Sequence, residues 1–323
     1  MPEPKRALLT GISGFVGSHL AEELLRRGWE VGGIAPAGED LSNLGSAREG
    51  VALMEADLAD RQSLESAVSD FPAPVVIHLA AASAPGRSFS APGAFFNVNV
   101  MGTLRLLEAL RARGAARLIL AFGSSQVYGA PGAEARALTE GQSLAPLNPY
   151  AASKTACHLL CSQYRAHFAM PITEVRPFNL IGPRQALGFV LPDFAYQVAR
   201  IKRGLQEPRL SVGRLSDERD FLDVRDAAEA IADLIEQAEG ELIGQVFHVC
   251  SGRPTAVHKL LDLLLSSAKV EVKIEQDASR LRPTSTPVNY GSHQKITDFT
   301  GWQPRRGLEQ SVGDTLGFWM DRV

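Results

Sequence analysis

Tyr150-Ala151-Ala152-Ser153-Lys154 sets a phenol and an ammonium four residues apart, a spacing that brings both onto one face of a helix. A cation beside a phenol favours the phenolate and draws its proton affinity towards the working pH. Tyr150 then becomes a usable proton donor or acceptor for a carbonyl/alcohol pair. Ser124 follows the apolar run Arg117 to Ala121 and a short Phe122-Gly123 turn, where its hydroxyl could hydrogen-bond the same oxygen. An ordinary exposed helical pair and a loop serine would show the same spacing, so the surrounding elements must decide.

A second set of residues suits phosphate. Gly11-Ile12-Ser13-Gly14-Phe15-Val16-Gly17 follows the predicted strand Ala7-Leu8-Leu9 and opens a predicted helix from Ser18 to Arg27. Glycines there permit a tight turn and let free N–H groups and the positive helix end meet a pyrophosphate, whereas a plain Gly-rich βα turn is the bland alternative. Asp57-Leu58 after a third strand and His78-Leu79-Ala80-Ala81 after a fourth join it, because the strand ends of an open α/β sheet face one crevice. Asp57 reads either as an adenine contact or as the cap of the next helix. His78 reads as packing on the cofactor side rather than as a general base. The end of the second strand, Ala35-Pro36-Ala37, offers neither a carboxylate for a ribose hydroxyl nor an arginine, although Arg48 could approach from the following loop. That tilts the expectation slightly from NAD towards NADP.

The elements that must hold these residues alternate. Apolar runs at Val31 to Ile34, Val75 to Ile77, Arg117 to Ala121 and Ile172 to Arg176 interleave with helical stretches at Ser63 to Val68, Gly102 to Arg113 and Pro149 to Phe168. This rhythm predicts an α/β fold, a Rossmann-like doubly wound parallel sheet over residues 1–176. After Arg176 the alternation weakens into Pro-, Gly- and Arg-rich loops, so residues 177–323 are expected to form a smaller C-terminal substrate lobe. Residues 221–250, with a helix from Val224 to Ala238 and a strand at Val246 to Val249, are expected to return to the first domain.

In the whole chain of 323 residues, 33 basic and 36 acidic side chains nearly cancel without a single-sign block, which argues against nucleic-acid and membrane partners. Three cysteines are too few for a secreted disulfide framework, and no signal peptide or apolar span is evident, so the expected location is the cytoplasm. Cys157 and Cys161 lack partners at zinc spacing, and no metal is expected.

Together the glycine triplet, Ser124, Tyr150 and Lys154 resemble the extended short-chain dehydrogenase/reductases, from about Arg6 to Trp319. The resemblance implies a nicotinamide cofactor, NADP or NAD, held by Gly11, Ser13, Gly14, Phe15, Val16, Gly17, Asp57, Leu58, Leu79, Ala80, Ala81 and Asn99, with Tyr150 and Lys154. In it, Ser124 polarises a sugar carbonyl, Tyr150 exchanges the proton, and Lys154 holds the nicotinamide ribose while tuning Tyr150. Arg176-Pro177-Phe178-Asn179, Gly182-Pro183-Arg184, Arg219-Asp220-Phe221-Leu222-Asp223-Val224 and Gly301-Trp302 are similar to segments of enzymes that modify nucleotide sugars. Asp277-Ala278-Ser279-Arg280-Leu281-Arg282-Pro283 narrows the likeness to GDP-mannose dehydratases and GDP-6-deoxy-4-keto-mannose reductases, and so to a GDP-sugar. Ser125, Gln126, Asn179, Arg184, Val190, Arg219 and Arg282 are the implied substrate residues, with Arg219 and Arg282 clamping the diphosphate.

A dehydratase of this group carries a glutamate two residues after its catalytic Ser or Thr. Gln126 stands there and cannot ionise, which disfavours dehydration. The leading expectation is reduction of the C4 keto group of a GDP-4-keto-6-deoxy-mannose to GDP-rhamnose or its C4 epimer. An NAD-dependent nucleotide-sugar 4-epimerase is the alternative on the same scaffold, and a non-catalytic nucleotide sensor the alternative of another class. The apolar faces around Leu104-Leu106-Leu107 and Cys157 to Tyr164 match the helices that pair across a homodimer in the resembled family, or else they are buried within one subunit.

Overall fold

The computed structural model describes residues 5–130, 136–237, 241–280 and 286–323. Along the chain run β1 (Arg6–Thr10), α1 (Phe15–Arg26), β2 (Glu30–Ala35), β3 (Val51–Glu55), α2 (Arg61–Asp70) and β4 (Val75–His78). Two one-turn helices, α3 (Pro85–Ser88) and α4 (Pro92–Phe95), and a π-helical turn at Phe96–Met101 lead into α5 (Gly102–Arg113). Then come β5 (Leu118–Phe122), α6 (Pro149–Phe168), β6 (Ile172–Pro177), β7 (Asn179–Ile181), α7 (Val190–Lys202), β8 (Arg209–Val212), β9 (Glu218–Asp223) and α8 (Val224–Glu236). The remainder is β10 (Val246–Val249), β11 (Pro254–Ala256), α9 (Val257–Ala268), β12 (Lys273–Gln276), β13 (Val288–Asn289), α10 (Gln294–Thr300) and α11 (Leu308–Met320).

Seven strands form one parallel sheet in the order β10-β6-β5-β4-β1-β2-β3. Parallel pairing requires crossovers, and these lay helices on both faces, so the central strands are apolar along their whole length. Ala7, Leu8 and Leu9 of β1 are accordingly buried without alternation. On one face Leu20 and Leu24 of α1 pack with Ile231 and Leu234 of α8 and with Trp302. On the other, Leu64 of α2 packs with Leu106, Leu107 and Leu110 of α5 and with Cys161 and Tyr164 of α6. Strand order reverses at β1/β4, which opens the crevice where such sheets take their ligands.

A third core unites Leu191 and Phe194 of α7, Leu260 and Leu264 of α9, and Val312 and Leu316 of α11. It lies beside β9, which pairs with β7 and β13 in parallel and with β11 antiparallel. Asp220 pins this small sheet. Its buried carboxylate accepts hydrogen bonds from the Ser251 amide and hydroxyl (both 2.7 Å), the Gly252 amide (2.9 Å) and the Gly291 amide (3.3 Å). Burial pushes that carboxyl above its ordinary range even though all four donors oppose the shift.

The helix expected from Ser18 starts three residues earlier, because Gly14 sits extended at the N-cap (φ −72°, ψ 175°) and Phe15-Val16-Gly17 make the first turn. Helix α8 ends at Glu236, and the expected end at Ala238 lies outside the described residues. No helix of the described residues is long and apolar enough to cross a membrane.

Candidate active site

The glycine turn is built for close approach. Gly11 has φ +69°, and a Cβ there would stand 2.8 Å from the Ala80 backbone; a Cβ on Gly17 would stand 2.2 Å from the Gly11 carbonyl oxygen. With glycine at both, β1, α1 and the Leu79-Ala80-Ala81 segment close on one another. No side chain caps the N-terminus of α1, so its first amides remain available to an anion. A tight glycine turn that ends on an uncapped helix N-terminus fits the pyrophosphate of a dinucleotide.

Behind it runs a chain of buried polar groups. Thr103 Oγ1 donates its single proton to the Asn99 carbonyl, so His78 Nε2, 2.9 Å away, is the protonated nitrogen and donates to it. The unprotonated Nδ1 of the neutral ring then accepts from Thr10 Oγ1 at 2.7 Å, and Thr10 Oγ1 accepts from the Ala80 amide (3.2 Å). Asn99 is buried in the π-helical turn. Its side chain bonds both the amide (2.8 Å) and the carbonyl (3.1 Å) of Ala82 and donates to Ser153 Oγ (2.9 Å), and Ser153 donates to the Tyr150 carbonyl (2.7 Å). Asn99 thus stands behind the cleft wall and ties it to α6, while Asn97 and Val98 reach the cleft surface.

Burial, aided by the charge of Lys154, lowers the His78 pKa to about 3, and burial also lowers that of His248. Between the ordinary value near 6.5 and about 3 the unfolded chain takes up a proton that the folded chain refuses. Stability is therefore complete above that ordinary value and is lost as pH falls, by about 1.4 kcal/mol per pH unit for each such imidazole. Urea unfolding at a series of pH values from about 7.5 to about 5 should show a midpoint that holds until about the ordinary imidazole value and then falls; an unchanged midpoint would contradict a neutral buried His78.

Ser124 is the N-cap of the 3₁₀ turn Ser125–Tyr128, its Oγ accepting from the Gln126 amide at 3.2 Å. Gln126 Oε1 accepts from Asn148 Nδ2 (3.0 Å), and Asn148 Oδ1 caps α6 through the Ala151 amide (2.8 Å). Pro149 occupies the first position of α6, where a missing N–H is harmless, and Tyr150 follows in the first turn. Lys154, one turn on, donates to the Phe122 carbonyl at 2.7 Å, just before Ser124. Tyr150 and Lys154 are each only 7% exposed, and both line the same cleft as Ser124 and the glycine turn. One buried patch therefore holds a hydroxyl, a phenol and a lysine beside an anion cradle.

The cleft has a volume of about 1420 Å³ and runs from the glycine turn to Val190 and Phe194 of α7 and Phe221 of β9. Ser125, Gln126, Asn179, Arg184, Val190 and Arg219 line it, as do Ser13, Gly14, Phe15, Val16, Asp57, Leu58, Leu79, Ala80 and Ala81. Arg219 is held by the Glu218 and Thr286 carbonyls (2.8 and 2.7 Å) and by Asp217 (3.0 Å). Arg184 pairs with Glu22 of α1 at 2.6 Å, which places its guanidinium on the glycine-turn side of the cleft rather than deep in the second lobe. Asp57 does not cap α2. Asp60 does so through the Gln62 amide, and Asp57 accepts locally from Ala59 (2.8 Å). Arg282 lies outside the described residues, whereas Arg280 reaches the cleft and pairs with Asp193 at 3.1 Å.

Sequence reasoning passed over Glu39, Asp40 and Asn43, which the loop after β2 folds onto the cleft. A carboxylate was sought only at the strand end, and only Arg48 was weighed in the loop that follows. Of the apolar positions read as an interface, Leu106, Leu107, Cys157, Cys161 and Tyr164 are buried within the subunit, while Leu159 remains exposed.

The chain matches the model of the GDP-mannose 4,6 dehydratase family over residues 8–315. It is 36% identical over 323 residues to the GDP-6-deoxy-D-mannose reductase of Pseudomonas aeruginosa, covering 99% of this chain and 98% of that protein. Among solved structures it resembles RMD from P. aeruginosa complexed with NADPH, with TM-score 0.84, 36% identity, and 99% and 100% of the two chains covered. It also resembles the Thermus thermophilus UDP-glucose 4-epimerase in complex with NAD, with TM-score 0.85, 29% identity, and 98% and 100% covered.

Proposed function

The chain belongs to the GDP-mannose 4,6 dehydratase family, within the extended short-chain dehydrogenase/reductases, and from that premise we propose that it reduces the C4 keto group of a GDP-4-keto-6-deoxy-mannose. The observation that carries the choice of reaction is Gln126. Where a dehydratase would need an ionisable group beside the sugar, this chain holds a neutral amide bound to the cap of α6. The full-length similarity to a GDP-6-deoxy-D-mannose reductase supports the same choice.

A reduced nicotinamide dinucleotide, its pyrophosphate held by the glycine turn, would supply hydride to the sugar carbon. The chain's own residues manage the oxygen: Ser124 hydrogen-bonds it, Tyr150 gives it a proton as charge develops, and Lys154 holds a positive charge beside the phenol that lowers the cost of that transfer. Lys154 is fixed for this task by the Phe122 carbonyl. Arg219, with Arg282, would meet the diphosphate, whose oxygens suit guanidinium forks, and Asn179 and Val190 would border the sugar nucleotide.

Incubating the protein with the keto-sugar and either NADH or NADPH should consume the reduced cofactor and yield GDP-rhamnose or its C4 epimer. No consumption with either cofactor would reject the reading. GDP at about 100 times its dissociation constant should add about 2.7 kcal/mol to folding stability, visible as a raised Tm, and UDP at the same concentration should add less. A 4-epimerase is the second reading, favoured by the likeness to the T. thermophilus enzyme. It would be recognised by tightly retained NAD in the purified protein and a stronger response to UDP. The reading is completed by a cytoplasmic homodimer joined through α5 and α6, where Leu159 is 61% exposed; light scattering at a monomer mass would reject the dimer.

A further inference from the structure

We infer that the loop following β2 makes this cleft select NAD(H) over NADP(H), with Glu39 as the principal discriminating residue. The inference rests on the reading of the glycine turn as a dinucleotide site and concerns only which dinucleotide enters.

The end of β2 carries no acidic side chain, and the sequence there leans towards NADP. The fold supplies the carboxylate from four residues further on. Glu39 Oε1 lies 3.4 Å from the hydroxyl of Ser13, at the middle of the glycine turn, and Asn43 Nδ2 donates to the Ser13 carbonyl at 3.1 Å. The loop is thus folded back against the turn that would hold the pyrophosphate, and the adenosine ribose joined to that pyrophosphate must pass beside it. Asp40 adds a second charge at the same end. Its carboxylate accepts from the Ser42 amide (2.9 Å) and hydroxyl (3.0 Å), bonds that hold its pKa below the usual range and keep it ionised at neutral pH.

The cations of the cleft are engaged elsewhere. Lys154 is bonded to the Phe122 carbonyl beside Ser124, Arg219 is paired with Asp217 and Arg280 with Asp193, and Arg184, on the glycine-turn side, is paired with Glu22 of α1. The lining residues that this loop and the middle of the glycine turn contribute, Ser13, Pro36, Glu39, Asp40 and Asn43, include no Lys or Arg. Arg48, the one arginine that the sequence offered, sits in the 3₁₀ segment Ser42–Gly50, exposed and outside the cleft lining. A ribose with free hydroxyls can donate to the Glu39 carboxylate. A 2′-phosphate would bring a dianion among carboxylates where the loop supplies no cation to meet it. This departs from the NADPH seen with the P. aeruginosa relative.

The test is direct binding. NADH and NADPH are titrated separately into protein freed of nucleotide, with quenching of tryptophan fluorescence as the signal and thermal melting to confirm that each variant folds. Wild type should bind NADH about tenfold or more tighter than NADPH at low salt, with the gap narrowing as salt is raised. In E39Q/D40N the ratio should collapse through tighter NADPH binding, and Glu39→Arg should invert it. Equal or tighter binding of NADPH by wild type would overturn the inference while leaving the nicotinamide reading intact. A preference for NADH that E39Q/D40N does not move would overturn the assignment to these carboxylates. Binding of neither nucleotide would overturn the inference and the cofactor reading together.

Discussion

Tyr150→Phe should lower kcat/KM for the keto-sugar by about 10²- to 10⁴-fold, the usual contribution of a positioned proton donor. The substitution removes one oxygen and leaves the ring, whose edge-on packing against Phe95 (6.2 Å between centroids) holds it in the first turn of α6. Asn148 still caps the helix, and the Asn99–Ser153 link to the Tyr150 carbonyl uses backbone that the change does not touch. The melting temperature and the affinity for reduced nicotinamide should therefore stay close to wild type while turnover collapses. That split separates a proton donor from a merely structural phenol, which would move stability and rate together. Turnover surviving unchanged would remove Tyr150 from the mechanism and leave Ser124 and Lys154 without a function in common.

Much of this site is local in sequence and therefore legible there. Tyr150 and Lys154 are one helical turn apart, Pro149 marks where α6 begins, and Val246–Val249 is apolar enough to read as a strand. The glycines announce a turn whatever surrounds them. Less legible were features in which distant segments meet. The π-helical turn at Phe96–Met101 has no composition of its own, yet it orients Asn99 towards Ala82 and Ser153 and keeps that side chain behind the wall. Glu39 is four residues past the strand end at which a carboxylate was sought, and only the return of the loop onto Ser13 brings it to the cleft. The sheet of the second lobe escaped for a related reason. Strands β7, β11 and β13 are only two or three residues long, and all four strands, β9 included, are widely separated along the chain and of mixed direction, so no alternating pattern runs through them. Their organiser is Asp220, which sequence inspection could place in a motif but not connect to Ser251, Gly252 and Gly291.

Gly17→Ala should affect affinity and stability at once, and by more than a surface change of equal size. The added methyl would stand 2.2 Å from the Gly11 carbonyl oxygen and 2.8 Å from the Ile12 Cα, and backbone atoms in a tight turn cannot swing aside as a side chain can. Either α1 is pushed away from β1, loosening the packing of Leu20 and Leu24 against the sheet, or the turn opens and the cradle loses its shape. Overpacking of this kind costs about 1–3 kcal/mol, and more where the backbone itself must move. Affinity for reduced nicotinamide should fall by about 100-fold or more, because the amides that meet the pyrophosphate are those displaced. Gly313→Ala in α11 is the contrasting case: nothing lies within 4 Å of the added carbon. There the loss of unfolded-state freedom should stabilise the protein by about 0.5–1 kcal/mol and leave cofactor binding alone. If urea unfolding and nicotinamide titration gave the two variants the same profile, close packing at the glycine turn would not be what shapes the site.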